Sequence, residues 1–311
     1  MSEISSVAVV GAGAMGAMYA AHFARAGFPV RLVARGDRAA RLADAGLTVN
    51  GEPLTAAVVD TAVGEHAPAD LVLVAVKHQQ LPEALDTIAP LVGADTTFLS
   101  VLNGLDSERI IAERFGAADR VLPCIALAMD AERSGAAVRY RQAGRLTFGD
   151  PAETVGGSDP GPSERVRRVQ RALDHAGLVW DTPADMQHAM WWKFMVNVGI
   201  NQASAVLDAP YGKFQQDGPG RSLMWALMDE AIAVGRAEGV DLGEADRAKW
   251  DTVLAGQPPQ GMTSMHQDVL AGRPTEVDIF AGRVVELGAK HGIATPHNQT
   301  LQWILSSPWA E

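Results

Sequence analysis

The chain contains one cysteine, few aromatic residues and fewer basic than acidic side chains. Cys124 cannot form an internal disulfide, which favours a reducing compartment, and its apolar neighbours favour a small core residue over a nucleophile. With 26 Lys and Arg against 37 Asp and Glu, the net charge is −11. Nucleic-acid binding requires clustered basic residues, so we expect no nucleic-acid partner. An anionic ligand must be attracted by a local positive site that opposes the overall charge.

Long apolar runs are also absent from the sequence. No stretch reaches the roughly 18 residues of a membrane-spanning helix, and the first predicted strand begins at Val7 without a basic leader or cleavage site. We therefore expect a cytoplasmic protein without a membrane partner. His266 and Asp268 lack further ligands at metal-binding spacing, so we predict no metal site. The length of 311 residues, with 47% hydrophobic and 20% charged residues, is typical of a globular protein of two domains.

A glycine-rich loop follows the first predicted strand and precedes a predicted helix over residues 17–26. The loop consists of Gly11, Ala12, Gly13, Ala14, Met15 and Gly16. This G-x-G-x-x-G pattern between strand and helix is typical of dinucleotide binding, and we predict that these residues bind a cofactor. The first glycine permits a tight turn, the second lets a pyrophosphate approach the backbone, and the third lets helix and strand pack closely. The helix N-terminus adds unpaired N–H groups for the phosphates.

The second predicted strand, residues 30–35, ends at Arg35, 19 residues after Gly16. An acidic residue there binds the ribose 2′-hydroxyl of NAD, whereas an arginine suits the 2′-phosphate of NADP. Arg35 therefore favours NADP(H). Asp37 leaves NAD open, and a solvated surface charge is the alternative interpretation of Arg35.

Two continuous apolar runs, residues 70–76 and 96–102, indicate strands that are buried on both faces of a parallel sheet. Lys77 and Gln80 follow the first run, and Asn103 follows the second. Ligands of doubly wound sheets bind beyond the carboxyl ends of the strands, so we predict that these three side chains contact the cofactor. The alternative for each is an ordinary turn residue, especially for Asn103, which precedes a glycine.

The remaining pattern before residue 182 is that of an α/β domain. A hairpin is predicted from residues 47–50 and 55–60. Further strands are predicted at residues 121–129, 137–141, 145–148 and 178–181, a loop at 150–163 and a helix at 164–176. We therefore predict a Rossmann-type doubly wound sheet over residues 1–182 that binds NADP(H).

Beyond residue 182 helical spacing replaces the strand-like runs, and all seven tryptophans lie at or after Trp180. Helices are predicted over residues 185–207 and 223–238, the second ended by Gly239. Residues 183–311 are therefore predicted to form an all-α domain that binds substrate. Its tryptophans are compatible with a homodimer, although burial in the core explains them equally well.

Residues 191–201 are apolar except for Lys193, Asn197 and Asn201. Their i, i+4, i+8 spacing places them on one stripe of a helix, about 12 Å long. A helix that is otherwise apolar belongs in a core, where polar groups are costly unless something binds them. We predict that a substrate binds this stripe. The alternative is a stripe that faces solvent or bonds only to neighbouring loops.

Two polar segments near the C-terminus contain Ser264 and Glu276. Helix capping explains these segments as well as a ligand does. Ser264 with Gln267, and Thr275 with Asp278, have the spacing of capping boxes, and a carboxylate such as Glu276 is favourable in a first helical turn.

Together these motifs resemble the 2-dehydropantoate 2-reductase (ketopantoate reductase) family. The matching segments are GAGAMG (11–16), VAVKHQQ (74–80), LNG (102–104), WWKFMVNVGIN (191–201), APYG (209–212), TSMHQD (263–268) and RPTEVD (273–278). They extend over nearly the whole chain in the same order. The resemblance implies a Rossmann domain and a helical domain with the active site between them. It also implies NADPH-dependent reduction of 2-dehydropantoate to (R)-pantoate, a step toward pantothenate and coenzyme A.

The resemblance further implies roles for individual residues in the second domain. Lys193 would be the general acid and would bind the keto oxygen. Asn197 and Asn201 would hold the hydroxyl and carboxylate side of the substrate, and Ser264 would bond to the carboxylate. Glu276 would support the lysine and the cofactor ribose.

In the first domain the same resemblance implies that Lys77 and Asn103 contact NADPH. Two positions depart from well-characterised members of the family. Tyr211 stands where some members have an asparagine that contacts substrate, and Gln202 stands where a proline is frequent. These departures leave the exact keto acid open.

The residues suit the implied chemistry, because hydride transfer to a keto carbon builds negative charge on an oxygen that a desolvated ammonium can stabilise and protonate. Other functions stay open, including reduction of another 2-keto acid. A β-hydroxyacid or 6-phosphogluconate-type dehydrogenase shares the glycine loop and a catalytic lysine but does not account for Ser264 and Glu276. A non-catalytic NADPH-binding sensor requires a site without a working acid, whereas Lys193, Asn197 and Asn201 are all present.

Overall fold

The structure is a computed structural model that describes residues 3–151 and 161–306. The chain divides into two compact units, Met1–Met186 and Gln187–Glu311. The domain boundary predicted from sequence lies after residue 182, and the units divide after Met186. Most of the loop predicted over residues 150–163 lies outside the described residues.

The first unit alternates strands and helices along the chain. Its strands are β1 Val7–Val10, β2 Val30–Ala34, β3 Thr48–Val49, β4 Glu52–Pro53, β5 Ala57–Asp60, β6 Leu71–Val74, β7 Thr97–Ser100, β8 Val121–Leu122, β9 Cys124–Leu127, β10 Glu132–Ser134, β11 Ala137–Arg139, β12 Arg145–Phe148 and β13 Val179–Asp181. Its helices are α1 Ala14–Arg25, α2 Asp37–Ala45, α3 Leu81–Ile88, α4 Ser107–Phe115 and α5 Glu164–His175, with 3₁₀ turns at His78–Gln80 and Ala89–Leu91.

A parallel sheet of six strands lies at the centre of this unit's described residues, in the order β5-β2-β1-β6-β7-β8. Counted among these strands alone, the order is 3-2-1-4-5-6, which is that of dinucleotide-binding domains. Val7 of β1 pairs with Val30 of β2 on one side and with Leu71 of β6 on the other. The winding reverses between β1 and β6, and such a reversal opens a crevice at the carboxyl ends of the strands. The predicted doubly wound fold is confirmed.

Helices cover both faces of this sheet because successive strand residues point to opposite sides. Val7 and Val9 belong to a buried cluster that includes the apolar residues of α1. Ala8 and Val10 belong to a second cluster that includes those of α3. Strands buried on both faces need no polar alternation, which is why the central strands are continuous apolar runs.

The predicted hairpin of residues 47–50 and 55–60 is wrong in its second strand. The structure instead pairs β3 with β4 in an antiparallel hairpin and places β5 in the main sheet, parallel to β2. Asn50 and Gly51 connect β3 to β4, both with positive φ, 53° and 87°. Two consecutive residues with positive φ form a two-residue turn that matches the twist of a hairpin. This tight turn therefore pairs β3 with β4, which follows it directly, rather than with residues 55–60.

The strand predicted over residues 121–129 is divided at Pro123. Residues before the proline form β8 in the main sheet, and residues after it form β9, which pairs with β12 in a three-stranded sheet with β13. Proline has no N–H for a ladder hydrogen bond, so it separates the two pairings. A third sheet has the order β10-β11-β3-β4, and its β10–β11 hairpin lies against α1.

The described residues of the second unit form helices joined by loops, without a strand among them. Its elements are α6 Met186–Val196, a π-helical turn Asn197–Asn201, α7 Gln202–Val206, a 3₁₀ turn Tyr211–Lys213, α8 Pro219–Ala237, α9 Glu244–Ala255, α10 Ser264–Leu270, a 3₁₀ turn Val277–Ile279, α11 Ala281–His291 and α12 Pro296–Ser306. Helix α8 begins at Pro219, earlier than predicted, because proline suits a first helical position. Gly239 follows this helix with a φ of 87°.

The single helix predicted over residues 185–207 is interrupted by the π-helical turn, hereafter the π turn. A π-helical turn has hydrogen bonds from i to i+5 and occurs frequently at functional sites. The π turn packs closely on α8, since a Cβ added to Gly199 would lie 2.4 Å from Cγ of Met228 and 3.0 Å from the carbonyl oxygen of Met224. Only glycine permits this approach.

Among the described helices of both units, none combines the length and the hydrophobicity that crossing a bilayer requires.

Candidate active site

The glycine loop connects β1 to α1, and each of its glycines has a different structural requirement. Gly11 has a φ of +97°, and an added Cβ would lie 2.3 Å from the carbonyl oxygen of Ala75. A Cβ on Gly16 would lie 1.9 Å from the carbonyl oxygen of Gly11. A Cβ on Gly13 would meet nothing within 4 Å. Gly11 and Gly16 are therefore required by the fold, whereas nothing in the fold requires Gly13.

Gly13 is the N-cap residue of α1, and no side chain caps this helix. The first turn of α1 contains no acidic residue. The N–H groups and the positive dipole end of α1 are therefore available to an anion at a backbone that leaves open space. This arrangement fits the pyrophosphate of a dinucleotide, because the second glycine of the motif serves the approach of that group.

The other residues predicted to bind the cofactor lie at the carboxyl ends of neighbouring strands in the same sheet. Arg35 directly follows β2 and is exposed. Lys77 and Gln80 follow β6, and Asn103 follows β7. The Gln80 amide oxygen accepts a 3.4 Å hydrogen bond from the Lys77 backbone N–H, so this side chain also stabilises its own turn.

Sequence reasoning missed an acidic residue beside Arg35. Asp60 ends β5, the strand next to β2, and its carboxylate accepts 2.9 Å hydrogen bonds from the N–H groups of Gly36 and Ala62. The Ala62 and Gly36 N–H groups lower the pKa of Asp60, and the charge of Arg35 contributes. Asp60 is therefore a carboxylate within electrostatic range of Arg35. The signal was hidden because residues 55–60 were predicted to belong to a hairpin.

A second missed carboxylate, Glu108, lies in the first turn of α4, shortly after Asn103. Ser107 donates a 2.8 Å hydrogen bond to one of its oxygens, and the Cys124 N–H donates a 3.4 Å hydrogen bond to the other. Burial raises the pKa of Glu108 to about 7. An acidic residue in a first helical turn is common on protein surfaces, so the sequence contained no distinguishing signal. Burial, followed by the Glu108 charge, raises the pKa of the Cys124 thiol, which agrees with an inert core cysteine.

In the second unit, Lys193 lies near the end of α6. Trp191 and Trp192 precede it, and Trp192 donates a 3.3 Å hydrogen bond to the Asp246 carbonyl, which fixes α6 against α9. Although part of the Lys193 side chain is exposed, the surrounding protein desolvates the ammonium. Burial lowers the pKa of Lys193 to about 8, and burial is the whole cause. Among the described residues no carboxylate forms an ion pair with it, so the Glu276 support implied by the resemblance stays a prediction.

Asn197 and Asn201 occupy the two ends of the π turn and are 3% and 7% exposed. Gln202 follows them and is fully buried. Its amide nitrogen donates to the Val198 carbonyl at 2.7 Å, and its amide oxygen accepts from the Ala281 N–H at 3.1 Å. The two asparagines of the polar stripe are therefore buried, and Gln202 connects the π turn to α11.

The segments of Ser264 and Glu276 differ from their predicted capping boxes. Thr263, not Ser264, is the N-cap of α10, and its hydroxyl accepts a 3.2 Å hydrogen bond from the His266 N–H. Ser264 is exposed in the first turn. Thr275 donates a 3.1 Å hydrogen bond to the Leu305 carbonyl, while the partly exposed Glu276 is the N-cap residue of a 3₁₀ turn. Because Thr263 caps α10, the Ser264 hydroxyl has no capping role.

His266 links α10 to the end of α7, a role that sequence reasoning missed. Its Nε2 is 2.6 Å from Oδ1 of Asp208, and its Nδ1 is 3.3 Å from Oγ of Ser204. Asp208 has a φ of +47° in the turn after α7. The buried imidazole therefore holds the helix of Ser264 against the segment that follows the π turn.

Tyr211, one of the two departures from the family pattern, lies in the loop before α8. Its N–H donates a 2.9 Å hydrogen bond to the Gly261 carbonyl. A Cβ added to Gly261 would lie 3.0 Å from the Tyr211 ring, so the ring packs on the segment that leads to Ser264. Burial raises the pKa of the Tyr211 hydroxyl.

Within residues 3–151 and 161–306, no group of three or more His, Cys, Asp or Glu side chains is arranged to hold a metal ion.

Comparison with known proteins relates both units to one family. Residues 7–153 match the family model Ketopantoate reductase PanE/ApbA, and residues 185–307 match the model Ketopantoate reductase PanE/ApbA C terminal. The chain is 31% identical to the 2-dehydropantoate 2-reductase of Mesorhizobium japonicum, with 93% of both chains covered. It is 32% identical to that of Halobacterium salinarum, with 76% of this chain and 74% of the relative covered.

A solved structure agrees with these sequence relatives. The crystal structure of the 2-dehydropantoate 2-reductase from Geobacter metallireducens has a TM-score of 0.81 to this chain and 28% identity. That comparison covers 96% of this chain and 98% of the other.

Proposed function

Because this chain belongs to the ketopantoate reductase family of oxidoreductases, we propose that it catalyses the NADPH-dependent reduction of 2-dehydropantoate to (R)-pantoate. In this proposal the first unit binds the dinucleotide and the second unit binds the keto acid. The observation that supports it most directly is Lys193, whose pKa burial lowers to about 8 on a helix that continues into two buried asparagines.

The first unit has the features that a nicotinamide dinucleotide needs. The backbone of residues 11–16 would hold the pyrophosphate, and the open space at Gly13 supports this assignment. Arg35 would bind the 2′-phosphate, which favours NADPH over NADH. Lys77, Gln80 and Asn103, at the ends of adjacent strands, would contact the rest of the cofactor. Bound NADPH would supply the hydride.

In the second unit we assign the proton to Lys193. Its ammonium donates a proton to the keto oxygen while the keto carbon receives the hydride, so the ketone becomes a hydroxyl and the lysine becomes a neutral amine. A pKa of about 8 suits this role, because the group is mostly protonated at pH 7 yet releases its proton more readily than an exposed lysine. Solvent then returns a proton to the amine.

The remaining polar groups orient the substrate in this proposal. Asn197 and Asn201 are buried amides that would bind the substrate hydroxyl and carboxylate. Ser264 would donate its hydroxyl to the carboxylate, since Thr263 already caps that helix. Glu276 would orient the lysine and the cofactor ribose.

A panel of 2-keto acids tests the proposal. NADPH and NADH oxidation would be followed by absorbance with 2-dehydropantoate, shorter aliphatic 2-keto acids and aromatic 2-keto acids. We expect the highest kcat/KM for 2-dehydropantoate with NADPH. A higher kcat/KM for another keto acid would correct the substrate, and no oxidation with any member of the panel would favour a binding protein over an enzyme.

The variant Lys193→Ala tests the assigned acid. A positioned general acid contributes about 10² to 10⁴ in rate, so kcat should fall by that factor while the Kd of NADPH changes little. Lys290→Ala is a matched control, because Lys290 is an exposed lysine whose partner is Glu238. Unchanged turnover in folded Lys193→Ala would refute the role of this lysine.

A further inference from the structure

The hairpin of β10 and β11 presents an arginine to the glycine loop. The strands pair Arg133 with Val138 and turn through Gly135, which has a φ of +59°. The Arg133 side chain folds back over this turn, and its Nε donates a 2.8 Å hydrogen bond to the Gly135 carbonyl. The guanidinium is therefore fixed by its own hairpin rather than extended freely into solvent.

The far end of the same guanidinium bonds to the glycine loop. A terminal nitrogen of Arg133 donates a hydrogen bond to the carbonyl oxygen of Ala12. Ala12 lies between Gly11, whose backbone makes the tight turn, and Gly13, whose surroundings are open. Arg133 and the glycine loop are 121 residues apart in sequence, so no local pattern indicated this contact.

The charge of Arg133 is not used by the fold. Both of its hydrogen bonds go to backbone carbonyls, and among the described residues it makes no ion pair within 4.0 Å. Glu132 precedes it, and successive strand residues point to opposite faces. The first turn of α1 also has no acidic residue. A full positive charge with unused N–H groups therefore lies beside the N-terminus of α1.

We propose that Arg133 is a further cofactor-binding residue, which donates hydrogen bonds from its guanidinium to the pyrophosphate of the dinucleotide. The proposal rests on the proposed function of the glycine loop. Arg133 would supply the local positive charge that an anionic ligand needs in a chain of net charge −11. A planar guanidinium suits phosphate oxygens better than an ammonium does, because it forms parallel hydrogen bonds.

The position of Arg133 predicts a pattern of nucleotide affinities. NADPH and NADH share the pyrophosphate and differ in the 2′-phosphate. Arg133→Gln should therefore weaken the Kd of both nucleotides by the same factor, on the order of tenfold. Arg35→Gln should weaken the Kd of NADPH and leave that of NADH nearly unchanged. Isothermal titration calorimetry of the full chain measures all of these constants.

Arg139→Gln is the matched control, because Arg139 is an exposed arginine on the same hairpin and its loss changes the net charge equally. Its Kd values should stay within about twofold of the wild type, since exposed charges are largely screened at physiological ionic strength. Equal weakening by Arg133→Gln with an unchanged Tm supports the proposal. Unchanged affinity for both nucleotides, or a loss confined to NADPH, overturns it.

The same titrations of NADPH and NADH also separate this inference from the proposed function. A wild-type chain that binds neither NADPH nor NADH contradicts the proposed function and this inference together. A wild-type chain that binds both, with an Arg133→Gln variant that binds equally well, contradicts only the inference.

Discussion

Gly13 and Gly16 stand three residues apart in one loop and are glycines for different reasons. A Cβ on Gly16 would overlap the Gly11 carbonyl, whereas a Cβ on Gly13 would meet no protein atom within 4 Å. The φ of Gly13 is −72°, which alanine adopts without strain. The fold therefore requires glycine at residue 16 but not at residue 13.

The pair Gly13→Ala and Gly16→Ala tests this distinction. Gly13→Ala should fold with a free energy of unfolding within about 1 kcal/mol of the wild type, because alanine is only a poorer N-cap. Its Kd for NADPH should rise at least about tenfold, since the methyl group occupies the space that the pyrophosphate needs. Gly16→Ala should instead lower the free energy of unfolding by about 1 to 3 kcal/mol or more. Chemical denaturation and calorimetric titration measure the two effects, and normal NADPH binding by Gly13→Ala would contradict the assignment.

The lowered pKa of Lys193 predicts the pH dependence of the reaction. The acid form is present below the pKa of about 8, so kcat/KM should be flat at lower pH and fall about tenfold per pH unit well above it. Unfolding does not explain this loss. The folded pKa lies below the ordinary value of 10.5, so the unfolded chain binds more protons between these limits and this group makes stability rise with pH. A flat profile to pH 10 would contradict a lysine acid.

At the scale of elements, the π turn determines where the two asparagines lie. The buried Gln202 side chain stabilises this turn through three hydrogen bonds. Its amide nitrogen donates to the Val198 carbonyl and to the side-chain oxygen of Asn298, and its amide oxygen accepts from the Ala281 N–H. These bonds connect the π turn to α11 and α12. Gln202 therefore provides in this chain a side-chain support that a proline at the same position cannot provide.

Removing that support should affect the keto acid more than the cofactor. Gln202→Ala leaves buried polar groups unpaired, each at a cost of about 1 to 3 kcal/mol, so the free energy of unfolding should fall by about 2 to 4 kcal/mol. The KM of the keto acid should rise several-fold because Asn197 and Asn201 lose their support, while the Kd of NADPH stays unchanged. Gln215→Ala is the control, since Gln215 also donates to two backbone carbonyls but lies away from the π turn. An equal rise in KM for both variants would argue against this role.

The elements that sequence predicted correctly are those whose signal is local. The apolar run at Leu71–Val74 and the glycine loop follow from neighbouring residues, and both have the predicted structure. The π turn did not follow, because the i, i+4, i+8 spacing of its polar residues fits a continuous α-helix equally well. Its geometry depends on contacts with α8 and α11, which come from distant parts of the sequence. The cap of α10 was misplaced by one residue because Thr263 and Ser264 are both good caps.

The same division applies to the candidate site. The positions of Arg35 and Asn103 at the ends of strands could be predicted, since a parallel sheet brings the ends of its strands to one edge. Arg133, Glu108 and His266 could not, because each acquires its surroundings through residues remote in sequence. A hairpin arginine, an acid in a first helical turn and a single histidine have no pattern that separates them from ordinary surface residues.

At the scale of the whole molecule, the division into two units predicts where each ligand stabilises the chain. The glycine loop and the ends of β2, β6 and β7 all belong to Met1–Met186, and Lys193 with the π turn belongs to Gln187–Glu311. NADPH at about 100 times its Kd should add about 2.7 kcal/mol to the stability of the first unit, which corresponds to a rise in Tm of about 5 to 10 °C. Hydrogen–deuterium exchange should slow most at residues 11–16 and at the strand ends. Wild type and Gly13→Ala should differ in this response, and NADPH protection confined to residues 187–306 would contradict the assignment of the dinucleotide to the first unit.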